Sequence, residues 1–154
     1  RVAYSHKGQE VNSNGIRVKC MHPCKGYKYS STNDSSAVYL VESDGFSMMM
    51  MGDASTKAEK CMLGDNSGIE NVTILKAGHH GSKTSSSDEL LDVLRPQMTL
   101  ISCGKNNSYG HPHKETLERY RKNGSVIYST KENGAISLVT DGEKIDIMLS
   151  LKGK

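Results

Sequence analysis

Three short stretches of this 154-residue chain carry residues able to do metal-assisted chemistry. Met51-Gly52-Asp53 offers a carboxylate. Gly78-His79-His80-Gly81-Ser82-Lys83 offers two adjacent imidazoles, and Gly110-His111-Pro112-His113 offers two more. Imidazole nitrogen and carboxylate oxygen are donors that suit zinc, manganese or iron. Each stretch also has an ordinary explanation when taken alone. Gly-Asp after a strand is most often a turn and helix cap. His-Pro-His ahead of a helix can be a loop with a capping residue, and a lysine in a Gly/Ser loop is usually only solvated. Their joint occurrence, in this order, is what argues for a site.

The elements between these stretches must bring them together. Ile16 to Met21 alternates apolar and polar residues and reads as a strand that stops at His22-Pro23. Ala37–Val41 and Phe46–Met51 read as strands around a Ser43-Asp44-Gly45 turn. The four consecutive methionines in the second are expected to be buried on both faces as gap fillers, not to bind metal. Val72–Lys76 and Met98–Ser102 complete the inner strands. Helices are expected over Ser55–Leu63, from a Ser86-x-x-Glu89 capping box to Pro96, and over Lys114–Lys122 with a stop at Asn123-Gly124. Val126–Ser129, Ala135–Thr140 and Lys144–Leu149 read as final strands, with a hairpin turn at Asp141-Gly142. Strand pairs mixed with helices predict an α/β fold with a mixed sheet, α+β being the alternative. Each chemical stretch begins at or just beyond the end of a buried strand, on the rim where ligands collect in open α/β sheets.

The stretches Asn33-Asp-Ser-Ser-Ala-Val-Tyr-Leu40, Gly45-Phe-Ser-Met-Met-Met-Met-Gly-Asp53, Leu75-Lys-Ala-Gly-His-His-Gly-Ser-Lys-Thr-Ser85 and Tyr109-Gly-His-Pro-His113 carry a resemblance. Between about Gly15 and about Leu149 the chain resembles the metallo-β-lactamase domain of ComEC-type competence proteins, membrane proteins that internalise DNA during transformation. The resemblance implies the C-terminal half of an αββα sandwich holding up to two divalent ions, zinc or manganese. It implies that Asp53 bridges the metals and that one of His79 and His80 is the last metal ligand. The Gly78-His79 context favours His79, with His80 near the scissile phosphate. His113, with His111 behind it, would face the substrate as proton donor or phosphate contact, and Ser82 and Lys83 would bind a phosphate oxygen. The implied reaction is phosphodiester hydrolysis of DNA in a nuclease serving uptake.

The family's main metal-binding motif, of the His-x-His-x-Asp-His type, does not occur here; neither His6 nor His22 reproduces it. Gly78 stands where relatives often have Pro, and Met51 where Thr is common. Residues 1–154 are therefore expected to be a single partial domain whose N-terminal half lies upstream, inactive by itself and without tightly bound metal. Its expected partners are DNA, that missing half, and a second copy through an uncovered sheet. The parent is expected in the cell membrane with this domain on the extracytoplasmic side. Two alternatives are a soluble relative acting on another phosphodiester, such as phosphorylcholine groups, or on an ester or lactone, and a non-catalytic module that binds DNA or a partner.

Composition agrees with a piece of a larger fold. Only 35% of residues are hydrophobic and 5% aromatic, with one Phe and no Trp, which is lean for an independent core of this length. The net charge of +3 is weak support for a polyanionic partner. No apolar run approaches the roughly 20 residues of a membrane span, so this segment is expected to be soluble. Beginning at Arg1 without an initiator Met, it reads as an excised fragment. Cys20, Cys24, Cys61 and Cys103 look too few and scattered for a disulfide framework. Cys20, His22 and Cys24 suggest zinc, but no second Cys/His pair supplies a fourth ligand, and alternating strand positions beside a His-Pro turn account for them.

Overall fold

Seven strands form one mixed sheet in chain order, in a computed structural model that describes residues 4–64 and 68–151. β1 (Glu10–Ser13), β2 (Ile16–His22), β3 (Val38–Ser43) and β4 (Phe46–Met50) run antiparallel. β5 (Ile74–Lys76), β6 (Met98–Ile101) and β7 (Val126–Ser129) continue the sheet parallel to β4. Helices α1 (Thr56–Leu63), α2 (Asp88–Leu94) and α3 (Lys114–Lys122) supply the crossovers that parallel pairing requires. The single turn α4 (Thr130–Asn133) leads into a separate hairpin, β8 (Ile136–Thr140) with β9 (Ile145–Leu149). The α/β architecture with a mixed sheet is the one expected. No helix among the described residues is long and apolar enough to cross a membrane.

The core joins sheet and helices through Met49, Met51, Leu75, Leu90, Leu94 and Tyr120. The methionine strand is not buried on both faces. Met49 and Met51 are fully buried, while Met50 between them is 43% exposed, so the period of two survives inside an unbroken apolar run. In the β8–β9 hairpin, Val139 and Met148 lie exposed on one face with Ser137 and Asp146. At its tip Gly142 packs against Asp44 and Gly45 of the β3–β4 turn, leaving no room for a side chain.

Three local features escaped the sequence pattern for identifiable reasons. β1 has four exposed residues and so no apolar alternation to read. It is held instead by the turn at Asn14-Gly15, where both residues have positive φ (48° and 78°), as a two-residue hairpin of this type demands. α2 starts one residue later than expected: Ser87, not Ser86, is its N-cap, its hydroxyl accepting from the Leu90 N–H at 3.2 Å. The carboxylate of Glu59, buried on α1, accepts the N–H groups of both Ser86 and Ser87. Ser86 thereby sits outside the helix at φ 56°, its hydroxyl against the Tyr120 hydroxyl at 2.6 Å. The third is a disulfide between Cys24 and Cys61, 37 residues apart, which ties the loop after β2 to α1. The pairing joins residues of different elements, so no spacing along the chain announces it. Cys20 and Cys103 are free and buried.

Candidate metal centre

The parallel order β4-β5-β6 puts the carboxyl ends of these strands on one rim. Gly52-Asp53 follows β4, Gly78–Gly81 follows β5 as a short 3-10 turn, and the loop carrying His111 follows β6. Backbone contacts lock the three together. The His79 N–H donates to the Gly52 carbonyl at 3.0 Å, and the His113 N–H donates to the Gly81 carbonyl at 3.0 Å. A Cβ on Gly78 would approach the Ala54 carbonyl at 3.1 Å, and one on Gly81 would meet Pro112 Cβ at 2.7 Å. Gly78 nests on the loop that carries Asp53. The glycines of one motif are thus the seats of the next.

Between these glycines, His79 (φ 45°, ψ 46°) and His80 (φ 55°, ψ 24°) both adopt left-handed backbone. Such conformations cost about 1 to 3 kcal/mol per non-glycine residue and persist only where surroundings impose them. Their side chains point to different partners. His80 Nδ1 lies 2.6 Å from the Ser102 carbonyl. A carbonyl only accepts, so Nδ1 carries the proton and the lone pair sits on Nε2. That Nε2 is 3.5 Å from Asp53 Oδ1. A ring nitrogen held this way by a backbone carbonyl is the usual support of a metal-ligating histidine. His79 Nε2 faces the Asn33 side-chain amide at 3.4 Å, and its buried Nδ1 has no hydrogen-bond partner.

His111 is the centre of the imidazole group, not its back row. Its ring lies 5.5 Å from His79, 6.4 Å from His80 and 4.9 Å from His113, centroid to centroid, and stacks on Tyr109 at 5.8 Å. Burial, followed by the three neighbouring imidazoles, pushes its pKa down from the ordinary imidazole value. The Asn107 side chain grips its backbone, donating to the His111 carbonyl at 2.7 Å and accepting from its N–H at 2.8 Å. His113 caps α3. Its Nδ1 accepts the Lys83 N–H at 3.1 Å, which leaves the proton on Nε2. Lys83 itself is exposed. Ser82 is 5% exposed, and its hydroxyl sits 3.0 Å from Thr84 Oγ1 within the same loop, where it builds the turn.

The residues fit a metal in part. His80 and Asp53 present a lone pair and a carboxylate to each other, and His79 has an orphaned nitrogen nearby. Yet Asp53, His79 and His80 do not form a closed set. Among the described residues, three donors fall within 4.8 Å of one another only at His22, Cys24 and Cys61. A cleft of about 460 Å³ lined by His80, Ser102, Asn107, Tyr109 and His111 opens beside the rim. Sequence reasoning missed Lys76, Asn33 and Asn107. Lys76 ends β5 among buried residues. Burial pushes its pKa down while the charge of Asp53 opposes the shift. The one signal for it was a lysine closing an apolar strand. Asn33 lies inside a stretch that carried the resemblance, but it had no assigned role there.

No family model matches the chain. A solved structure from Parabacteroides distasonis, described as a metal-dependent hydrolase in an assignment that its name alone carries, superposes with a TM-score of 0.52 at 11% identity. The match covers 81% of this chain and 56% of that one, and shows a likeness of fold. Among curated proteins, the chain is 36% identical to ComE operon protein 3 of Bacillus subtilis over 70% of its length. It is 32% identical to Recombination protein 2 of Haemophilus influenzae over 91%, and 32% identical to Competence protein ComA of Neisseria gonorrhoeae over 79%. The chain belongs to the ComEC family, as a domain of metallo-β-lactamase fold. It spans 14%, 17% and 18% of the lengths of these relatives.

Proposed function

We propose that this chain supplies one wall of a divalent-metal phosphodiesterase centre that cuts DNA during uptake, and that the remaining ligands come from an N-terminal half of the same domain. One observation carries the reading: His80 Nδ1 is tied to the Ser102 carbonyl, which turns its Nε2 lone pair toward Asp53 at 3.5 Å. On that basis His80 and Asp53 are the primary ligands, and His79 is the further donor through Nδ1, with Asn33 holding its other nitrogen. A bound zinc or manganese ion supplies Lewis acidity toward the phosphodiester and the attacking water. His113, protonated on Nε2, donates to the phosphate or the leaving oxygen. His111 stands among the other imidazoles, with its backbone held by Asn107. Lys83 offers its ammonium to a phosphate oxygen, and Ser82 shapes the turn that presents it.

Support for a second half comes from the 56% coverage of the structural neighbour and from the open face of the β8–β9 hairpin at Val139 and Met148. The name of the Neisseria relative points to competence, and to this we add DNA as substrate and a membrane-associated parent whose domain lies outside the cytoplasm. The test is DNA hydrolysis by the full-length parent with added manganese or zinc. Asp53→Asn and His80→Gln should each lower the rate by about 100-fold or more. Undiminished cleavage in Asp53→Asn would remove the proposal.

A further inference from the structure

Away from the rim, where β2 ends, His22 is fully buried. Its Nδ1 lies 2.7 Å from the Ser36 carbonyl and must be the protonated nitrogen, because a carbonyl only accepts. Its Nε2 therefore carries the lone pair, and it has no hydrogen-bond partner. Leaving a buried acceptor unsatisfied costs about 1 to 3 kcal/mol, so such an atom asks for an explanation. Donor atoms of His22, Cys24 and Cys61 lie within 4.8 Å of one another. Nδ1 being engaged, Nε2 is the atom His22 can offer. Cys20, which neighbours them in sequence, is not a member: its thiol donates to the His22 carbonyl at 3.2 Å.

We propose that the reduced chain holds a zinc ion on His22 Nε2, Cys24 Sγ and Cys61 Sγ, a site that the Cys24–Cys61 disulfide closes. One nitrogen and two sulfurs form a soft donor set that selects zinc over manganese or magnesium. Bonds of about 2.0 to 2.3 Å place ligand atoms of a tetrahedral zinc about 3.5 Å apart, a spacing within the 4.8 Å that contains these donors, and reduction lets the two sulfurs part to reach it. The hydrogen bond from Nδ1 to Ser36 fixes the ring in the ligating tautomer. The fourth position is left to water.

The exchange balances. A dithiol reductant passes two electrons and two protons to the Cys24–Cys61 bond, becoming a disulfide itself, and leaves two thiols. Zinc then displaces both thiol protons to solvent, and the ion with its two thiolates is neutral as a unit. Lys7, Lys25, Lys57 and Lys60 line the cleft of about 650 Å³ over these cysteines. Their charges favour thiolate over thiol without facing a net positive site. A small-molecule disulfide reverses the sequence: it takes up two electrons and two protons to become two thiols, the Cys24–Cys61 bond re-forms, and zinc leaves. The site is independent of Asp53 and of the reaction proposed above.

The probe is cobalt(II), added to the full chain after reduction by a dithiol and anaerobic removal of the reductant. The expected result is a thiolate-to-cobalt charge-transfer band in the near ultraviolet, saturating at one equivalent per chain and absent from the oxidised chain. Cys61→Ser should weaken cobalt binding at least tenfold, while Asp53→Asn leaves the band unchanged, since carboxylate and imidazole give no such transition. In the unmutated chain, zinc should slow alkylation of Cys24 and Cys61 at least tenfold, a readout that needs no variant to fold. Absence of the band in the reduced chain, its survival in Cys61→Ser, or alkylation indifferent to zinc would each overturn the proposal.

Discussion

The histidine rim and the His22–Cys24–Cys61 group are two donor clusters built on opposite plans. At the rim, three loops bring Asp53, the adjacent pair His79 and His80, and His111 with His113, and the structure sends the two adjacent rings to different partners. At the second cluster, Cys61 comes from α1, 37 residues beyond Cys24, and the donors converge within 4.8 Å. The rim is held by backbone: left-handed residues, glycine seats and carbonyl contacts. The other is held by a covalent bond and by burial of the imidazole. Density of chemical residues along the chain therefore marks where donors gather, not how closely they meet. An incomplete set with well-oriented members is what a site shared with another part of the domain requires, whereas a tight set can act alone.

The largest expected effect lies on the covalent side. Reducing the disulfide releases a loop of 37 residues, for which chain entropy predicts a loss of about 4 kcal/mol. Denaturant midpoints measured with and without reductant check this; a shift under a quarter of that size would show that buried contacts, not the cross-link, hold the cluster. On the rim, Gly81→Ala should cost about 3 kcal/mol, because the new Cβ meets Pro112 at 2.7 Å on a positive-φ residue. Gly110→Ala is its control: φ is 73° there too, but nothing lies within 4 Å, and about 1 kcal/mol is expected. Equal losses in thermal melts would mean that the two histidine loops are not seated on each other.

The smallest effect is a shared response to acid. His22 in one cluster and His111 in the other are both held below the ordinary 6.5, chiefly by burial. The unfolded chain therefore binds protons first as pH falls, so stability is intact above about 6.5 and declines below it. Urea midpoints should drop between about pH 7 and about pH 5. His111→Gln should flatten part of that slope, and a slope unchanged in this variant would assign it to His22 and the carboxylates.

Much of the architecture was legible before any coordinates. The Lys114–Lys122 helix and the Val126–Ser129 strand fall where periodicity and the Asn123-Gly124 stop put them. Legibility failed where a distant group replaced a local one. Glu59 took the Ser86 N–H that a capping box would have given to the Glu89 side chain, and the Ser87 N–H with it. β1 had no apolar residue to bury on a regular period, and only the turn behind it and its neighbour β2 make it a strand. At the rim, residue types were readable, but the relation of His79 to His80 was not. Adjacent residues in left-handed backbone send their rings to Asn33 and Asp53, and no periodicity encodes that divergence.

The sequence by itself determined the α/β class, the three chemical stretches, their order on the carboxyl-end rim and the family they belong to. These depend on residue type and on periods of two and 3.6, which are local properties of the chain. Only the tertiary structure decided that His80 faces Asp53, that His111 stands among the other imidazoles, and that Cys61 rather than Cys20 joins His22 and Cys24. Those outcomes rest on hydrogen bonds and close contacts between elements tens of residues apart, which exist only once the sheet has brought its strand ends together.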